Sequence, residues 1–240
     1  MGRRLLREKK KTNILIRNPE LRNHRREQVA AAAFDLFIRD GFHTTGIREI
    51  ARQAGVSPGA VLTYFRDKEE ILFYIFDKEQ GRAEKEITDL VAQLRQTIQE
   101  GADAREALEQ VLDTFLRTID AIGRFTLLAY QETKSLRPEW REKLFARERR
   151  IQNLFVEVIR YGVKQGVFSP DHLEVKAHSI IVLAHAWAVR RWALKEEVSS
   201  IEEYSAILKP LALGMLTFSA GRVQKRSRPE APPELKQKVA

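Results

Sequence analysis

The chain has no cysteine among its 240 residues, which excludes a disulfide framework and a thiolate metal site. Long apolar runs are missing as well. No stretch approaches the ~18 consecutive apolar residues of a membrane span, and no signal-peptide core follows the basic start Met1-Gly-Arg-Arg-Leu-Leu-Arg. A cytoplasmic protein with no membrane partner is the expectation. There is no nucleotide-phosphate loop, nucleophile elbow or paired-carboxylate site, so an enzyme is not expected and no cofactor is assigned. Among five histidines, His178 and His185 stand seven apart on one helical face, but no third ligand accompanies them. They predict a buried or interface pair and no metal. Strand patterns are almost absent, which leaves helices.

Charge is present in excess and unevenly placed. Residues 1–68 hold 15 Lys+Arg against 7 Asp+Glu, and residues 222–240 hold 6 against 2. The stretch between them holds 21 against 24, slightly acidic. A basic end on an acidic body suits phosphate binding by one module. The arm over 1–18, with Arg3, Arg4, Arg7, Lys9, Lys10 and Lys11, is expected to be flexible. The tail over 222–240, with three prolines among charges, is expected to be disordered.

Between these ends the apolar period is helical. Val29, Ala32, Ala33, Leu36 and Phe37 form one stripe of a first helix that runs to Asp40 and stops at Gly41. Thr45 is read as the cap of a second helix, with Ile47, Ile50, Ala51 and Ala54 inward. The joint Ala51-Arg52-Gln53-Ala54-Gly55-Val56-Ser57-Pro58 is the most informative stretch. Gly55 can adopt the left-handed conformation that closes one helix. Ser57 can cap the next, and Pro58 suits a first helical position, where no donor is needed. A third helix then covers Pro58 to Phe65. Asp67 caps a fourth, with Glu70 in the capping-box position. This is a helix-turn-helix signature. Beyond it, segments 103–122, 124–135, 138–166, 171–196 and 199–221 predict a helical bundle. The fold class is all-α: a three-helix DNA-binding unit over 19–70, then a bundle over 71–221, about nine helices in all.

Val29 to Phe37, Gly41-Phe42-His43-Thr44-Thr45, Ile47 to Ala51, Ala54 to Gly59 and Tyr64 to Leu72 together resemble the amino-terminal domain of the tetracycline-repressor-type (TetR) regulators. The resemblance covers roughly fifty consecutive residues; the rest of the chain is similar only in helix number and layout. It implies a homodimer that binds double-stranded palindromic operator DNA and releases it when a small-molecule effector binds. The third helix would enter the major groove. Pro58, Gly59 and Ala60 would lie at the bases, Thr63 and Tyr64 would point outward to phosphates, and Arg48 would take a guanine edge or a phosphate. Thr45 and Lys68 would meet phosphate at helix amino termini. Leu62 stands where most relatives carry a tyrosine, so one common phosphate contact is missing.

Farther along, Tyr130, Glu132 and Lys134 fall where the family walls its ligand cavity. Trp187 and Arg191 are four apart and share a helix face, the arrangement of an aromatic wall beside a cation. Trp187, Arg190 and Arg191 could therefore hold a ligand head group, with core or interface packing as the alternative. The stretch Glu132–Arg141, the run Arg147–Arg150 and the tryptophan-rich helix are similar to acyl-CoA-responsive members that repress lipid catabolism genes. Two other readings stay open: a repressor of an efflux pump that senses cationic drugs, and a helical adaptor without DNA function. Dimerisation is expected through 171–196 and 199–221, using Ala177, Ile181, Ala184, Ala188, Leu208, Leu211, Met215 and Phe218.

Overall fold

The computed structural model describes residues 19–99 and 101–219. The expected basic arm (1–18) and tail (222–240) lie outside them. Regular structure in the described residues is entirely helical: α1 (Pro19–Asp40), α2 (Ile47–Gln53), α3 (Pro58–Tyr64), α4 (Lys68–Gln99), α5 (Ala104–Ala121), α6 (Gly123–Glu132), a 3-10 turn (Thr133–Ser135), α7 (Pro138–Lys164), α8 (Leu173–Val189), the single turn α9 (Arg191–Leu194) and α10 (Ile201–Thr217). No helix here is long and apolar enough to cross a membrane.

Local chemistry sets most of the boundaries. Gly41 (φ +89°) and Gly55 (φ +65°) take left-handed conformations just beyond α1 and α2. The Ser57 hydroxyl accepts the Ala60 N–H at 3.1 Å, and the Asp67 carboxylate accepts the Glu70 N–H at 2.8 Å. Two expected caps differ. Thr45 is buried and donates its hydroxyl back to the Gly41 carbonyl at 2.8 Å, so Gly46 becomes the N-cap and the Glu49 carboxylate takes its N–H. Glu70 reaches back to the Arg66 N–H rather than to that of Asp67. The expected helix over 171–196 breaks at Arg190, whose φ of −113° and ψ of 18° leave helical geometry.

Two apolar cores form. The first gathers Leu36 and Phe37 of α1, Ile50 of α2, Val61 of α3, Phe65, and Leu72 and Phe76 of α4. It extends past residue 70, because Phe125 and Leu128 of α6 and Trp140 and Leu144 of α7 pack against it. The second lies among α4, α5, α7, α8 and α10, centred on Leu108, Leu112, Phe155, Ile159, Ile180 and Leu208. Helix α4 crosses both as one 32-residue rod. At 1.5 Å per residue such a rod is about 48 Å long. In α7, Gly162 lets the Phe168 ring lie where a Cβ would stand only 2.1 Å away.

A reading helix and a cavity

The short joint between α2 and α3 turns the buried face of α3 inward through Val61 and, just beyond the helix, Phe65. The opposite face presents Pro58, Gly59, Leu62 and Thr63 to solvent, with Ala60 half-buried. Thr63 donates its hydroxyl to the Gly59 carbonyl at 2.9 Å, which leaves its oxygen free to accept further bonds. Arg48 is exposed on α2 and makes no ion pair among the described residues. Arg52, one turn later, is exposed and likewise unpaired. The i, i+4 spacing from Arg48 could have revealed it.

Three expected contact residues sit differently. Tyr64 does not point outward: its ring is buried in the first core, because the turn of α3 that exposes Thr63 carries the next residue inside. Thr45 is held in the α1–α2 turn by its bond to the Gly41 carbonyl. Lys68 places its ammonium against the carbonyls of Phe42, His43 (3.2 Å) and Thr45 (2.8 Å). Its half-buried position lowers its pKa through desolvation, with Glu132 opposing in smaller measure. This lysine ties the α1–α2 turn to the start of α4.

The segment after α6 joins the two cores. Glu132 accepts from the Ser135 hydroxyl at 2.7 Å and lies 3.6 Å from His43 Nε2. Arg137 bonds Asp67 and Glu69 at the start of α4, and its guanidinium covers Trp140, which stacks on Phe73 with 4.9 Å between ring centroids. Glu132 therefore faces the amino-terminal unit.

A cavity of about 690 Å³ opens between α4 and α8. Its walls are mainly apolar, with Phe115, Ile119, Phe125, Leu144, Phe145 and Ile151 contributing. Tyr130 lines it, as the sequence suggested, and its hydroxyl meets His185 Nδ1 at 3.0 Å. Burial, with His178 adding a smaller repulsion, lowers the His185 pKa to about 4, so its imidazole is neutral near pH 7. Glu148 reaches solvent through the open side of the cavity, yet the apolar wall around it desolvates the carboxyl and raises its pKa, with His178 pulling the other way. Lys134 and Arg141 line the same cavity without an ion pair among the described residues. A second cleft of about 490 Å³ lies between α1, α4 and the start of α6. Its cations are already paired: Lys78 with Glu27 (2.9 Å), Arg124 with Asp35 (3.0 Å) and Arg82 with Glu86 (3.2 Å). The larger cavity is the better ligand site.

The expected head-group residues are not in it. Trp187 is buried in the second core, donates its indole N–H to Asp120 at 2.6 Å and stacks on Tyr204. Arg191 lies over Trp187, with 3.5 Å to the ring centroid, but on the outer side. Arg190 covers the exposed Trp192. The break at Arg190 puts Arg191 on a separate helical turn, so it meets Trp187 at the end of the bundle rather than along one helix face. Glu148 and Gln80 escaped sequence reasoning, because Glu148 sits in a charged run and Gln80 carries no local signal. His185 was noticed only as half of a histidine pair.

Residues 29–75 match the family model for bacterial regulatory proteins of the TetR family, and residues 101–195 match a tetracyclin repressor-like C-terminal domain. The HTH-type transcriptional regulator HbdR of Aromatoleum sp. (strain CIB) is 32% identical over 188 residues, 78% of this chain and 79% of that protein. A TetR-family regulatory protein from Rhodococcus RHA1 shares the fold with a TM-score of 0.72 at 24% identity, covering 81% of this chain and 98% of the other. FadR of Bacillus subtilis, solved in complex with stearoyl-CoA, shares it with a TM-score of 0.60 at 20% identity, covering 79% and 98%. The exposed reading helix, the cavity behind it and these likenesses agree: the chain belongs to the TetR family of ligand-responsive, DNA-binding transcriptional regulators.

Proposed function

We propose that a homodimer of this chain acts in the cytoplasm as a repressor on a palindromic operator and leaves it when an acyl-CoA thioester fills the cavity. In this reading residues 19–70 form the reading head and 71–221 the sensor, joined by the continuous α4. Pro58, Gly59, Ala60 and Thr63 lie toward the bases and backbone of one half-site, with Arg48 and Arg52 beside them. The dimer face consists of the exposed apolar residues Val175 and Val182 on α8 with Ile207 and Leu211 on α10 and Phe218 just beyond it. Of the interface residues expected from sequence, Ala177, Ile181, Ala184 and Leu208 are consumed by the core of the single chain.

The observation that carries the ligand class is the apolar cavity with Lys134 and Arg141 unpaired on its lining, a layout suited to an acyl chain with an anionic head group. The stearoyl-CoA found in the B. subtilis regulator supports the same class. The ligand releases DNA by favouring a subunit arrangement that does not fit adjacent grooves, and only its differential affinity for the two arrangements counts. Glu148 supports a second reading, a cationic drug in an efflux regulator. Thermal-shift titration with acyl-CoA thioesters and cationic drugs, each followed by operator release, separates the two. Thioester stabilisation that is lost in Lys134→Ala and Arg141→Ala is the expected result. Selection from random DNA should enrich a palindrome with half-sites about one helical turn apart. Enrichment of no palindrome would reject the operator reading.

A further inference from the structure

The cavity is not lined as a plain hydrocarbon chain requires. Four helices each place a hydrogen-bonding group on it: Gln80 from α4, Tyr130 from α6, Glu148 from α7 and His185 from α8. Tyr130 and His185 satisfy one another across 3.0 Å. Gln80 and Glu148 do not. The Gln80 amide oxygen is buried without a hydrogen-bond partner, and Glu148 makes no hydrogen bond or ion pair among the described residues. A buried amide oxygen without a partner is costly, so a wall that merely had to accept methylene groups would be expected to carry leucine or phenylalanine in place of Gln80, whereas Glu148 adds an unpaired carboxyl at the open side of the same cavity.

We infer that the effector carries an oxygen substituent, a hydroxyl or a keto group, on the part that enters the cavity, and that Gln80 and Glu148 select for it. This rests on the reading of the cavity as a thioester site and goes beyond it by naming the acyl class. A hydroxyl can donate to the Gln80 amide oxygen or to the Glu148 carboxylate; a keto oxygen can accept from Glu148 only in its protonated form. Desolvation by the apolar wall raises the Glu148 pKa, with His178 opposing in smaller measure. An unsubstituted chain would cover both groups and leave them unpaired. Sites of this kind discriminate strongly against the analogue that lacks the polar group.

Calorimetric titration of the full-length dimer tests this with octanoyl-CoA and a series of octanoyl-CoA derivatives hydroxylated at successive carbons. At least one hydroxylated isomer should bind ~10-fold or more tightly than octanoyl-CoA, which corresponds to about 1.4 kcal/mol. Gln80→Leu and Glu148→Leu should each reduce that ratio, by strengthening octanoyl-CoA binding as well as weakening the hydroxylated isomer. Equal affinity of octanoyl-CoA and every isomer for the unmodified protein would overturn the inference while leaving the thioester reading intact. That comparison needs no variant and so does not depend on one folding. Failure of every thioester to bind, with cationic drugs binding through Glu148, would overturn the thioester reading and this inference together.

Discussion

The two cores of this molecule are closed in different ways. The amino-terminal core seals around Phe37, Ile50, Phe65, Leu72 and Phe76, each nearly inaccessible to solvent. Beside it, the sensor bundle seals around Leu108, Leu112 and Phe155 but leaves about 690 Å³ unfilled where Phe115, Ile119 and Ile151 face Phe125 and Leu144 of the first core. Filled interiors have few arrangements, which suits an element that must present α3 at one angle. Unfilled volume forfeits contact energy, and a ligand can restore it. The reading head is the part made rigid. The sensor is the part left incomplete.

The largest effect should come from opening the sealed core. Phe65→Ala is expected to cost about 3–5 kcal/mol in denaturant unfolding and to abolish operator binding, because the cavity it leaves has no ligand to fill it. A cost near 1 kcal/mol would mean that this core is not tightly packed. Next in size is the effect of the effector on the sensor. At a hundred times its Kd it should stabilise the protein by about 2.7 kcal/mol, read as a concentration-dependent rise in Tm.

Adding volume sharpens the contrast further. Ala33 in the sealed core is fully buried, whereas Ala129 lines the cavity. Ala33→Leu should destabilise by about 1–3 kcal/mol through overpacking, while Ala129→Leu should be nearly neutral and blunt the effector response. Similar costs at both positions would mean that the two interiors are equally filled.

A milder effect follows from pH. The depressed pKa of His185 means that its contribution is present above its ordinary value of 6.5 and is lost as pH falls toward about 4. Glu148 has the opposite sign: its raised pKa gives a contribution that is present at low pH and lost as pH rises through that value. Thermal melts at pH 7 and pH 4.5 should therefore show a smaller acid loss in His185→Gln and a larger one in Glu148→Gln. Identical acid losses in both variants and the parent would refute the assignment.

The smallest stability change should occur at the seam. Arg137→Ala removes the ties to Asp67 and Glu69 at a partly exposed site and should cost about 1 kcal/mol or less. Its informative readout is coupling, since Ala129, Tyr130, Thr133 and Lys134 line the cavity while Glu132 and Arg137, on the same segment, hold the reading head. Effector affinity should persist while the effector's influence on operator binding weakens. Unchanged coupling would show that the signal travels through α4 alone.

The helices α1 to α3, the joint at Gly55–Pro58 and the approximate extent of the later helices are legible in the residue pattern. These depend on interactions within a few residues: the left-handed glycines, the Ser57 and Asp67 caps, and apolar stripes at helical spacing. Even there, one step along α3 separated outward Thr63 from inward Tyr64, a difference of about 100° that apolar spacing alone did not assign. Which polar groups meet across the cavity depends on how the helices pack. Gln80, Tyr130, Glu148 and His185 come from four helices and are far apart in the chain, so no local pattern joins them. The same holds at the end of the bundle, where the break at Arg190 and packing against Asp120 and Tyr204 place Trp187 in the core and leave Arg190 and Arg191 outside. Helix formation is a property of neighbours in sequence. A binding site is a property of how the helices meet.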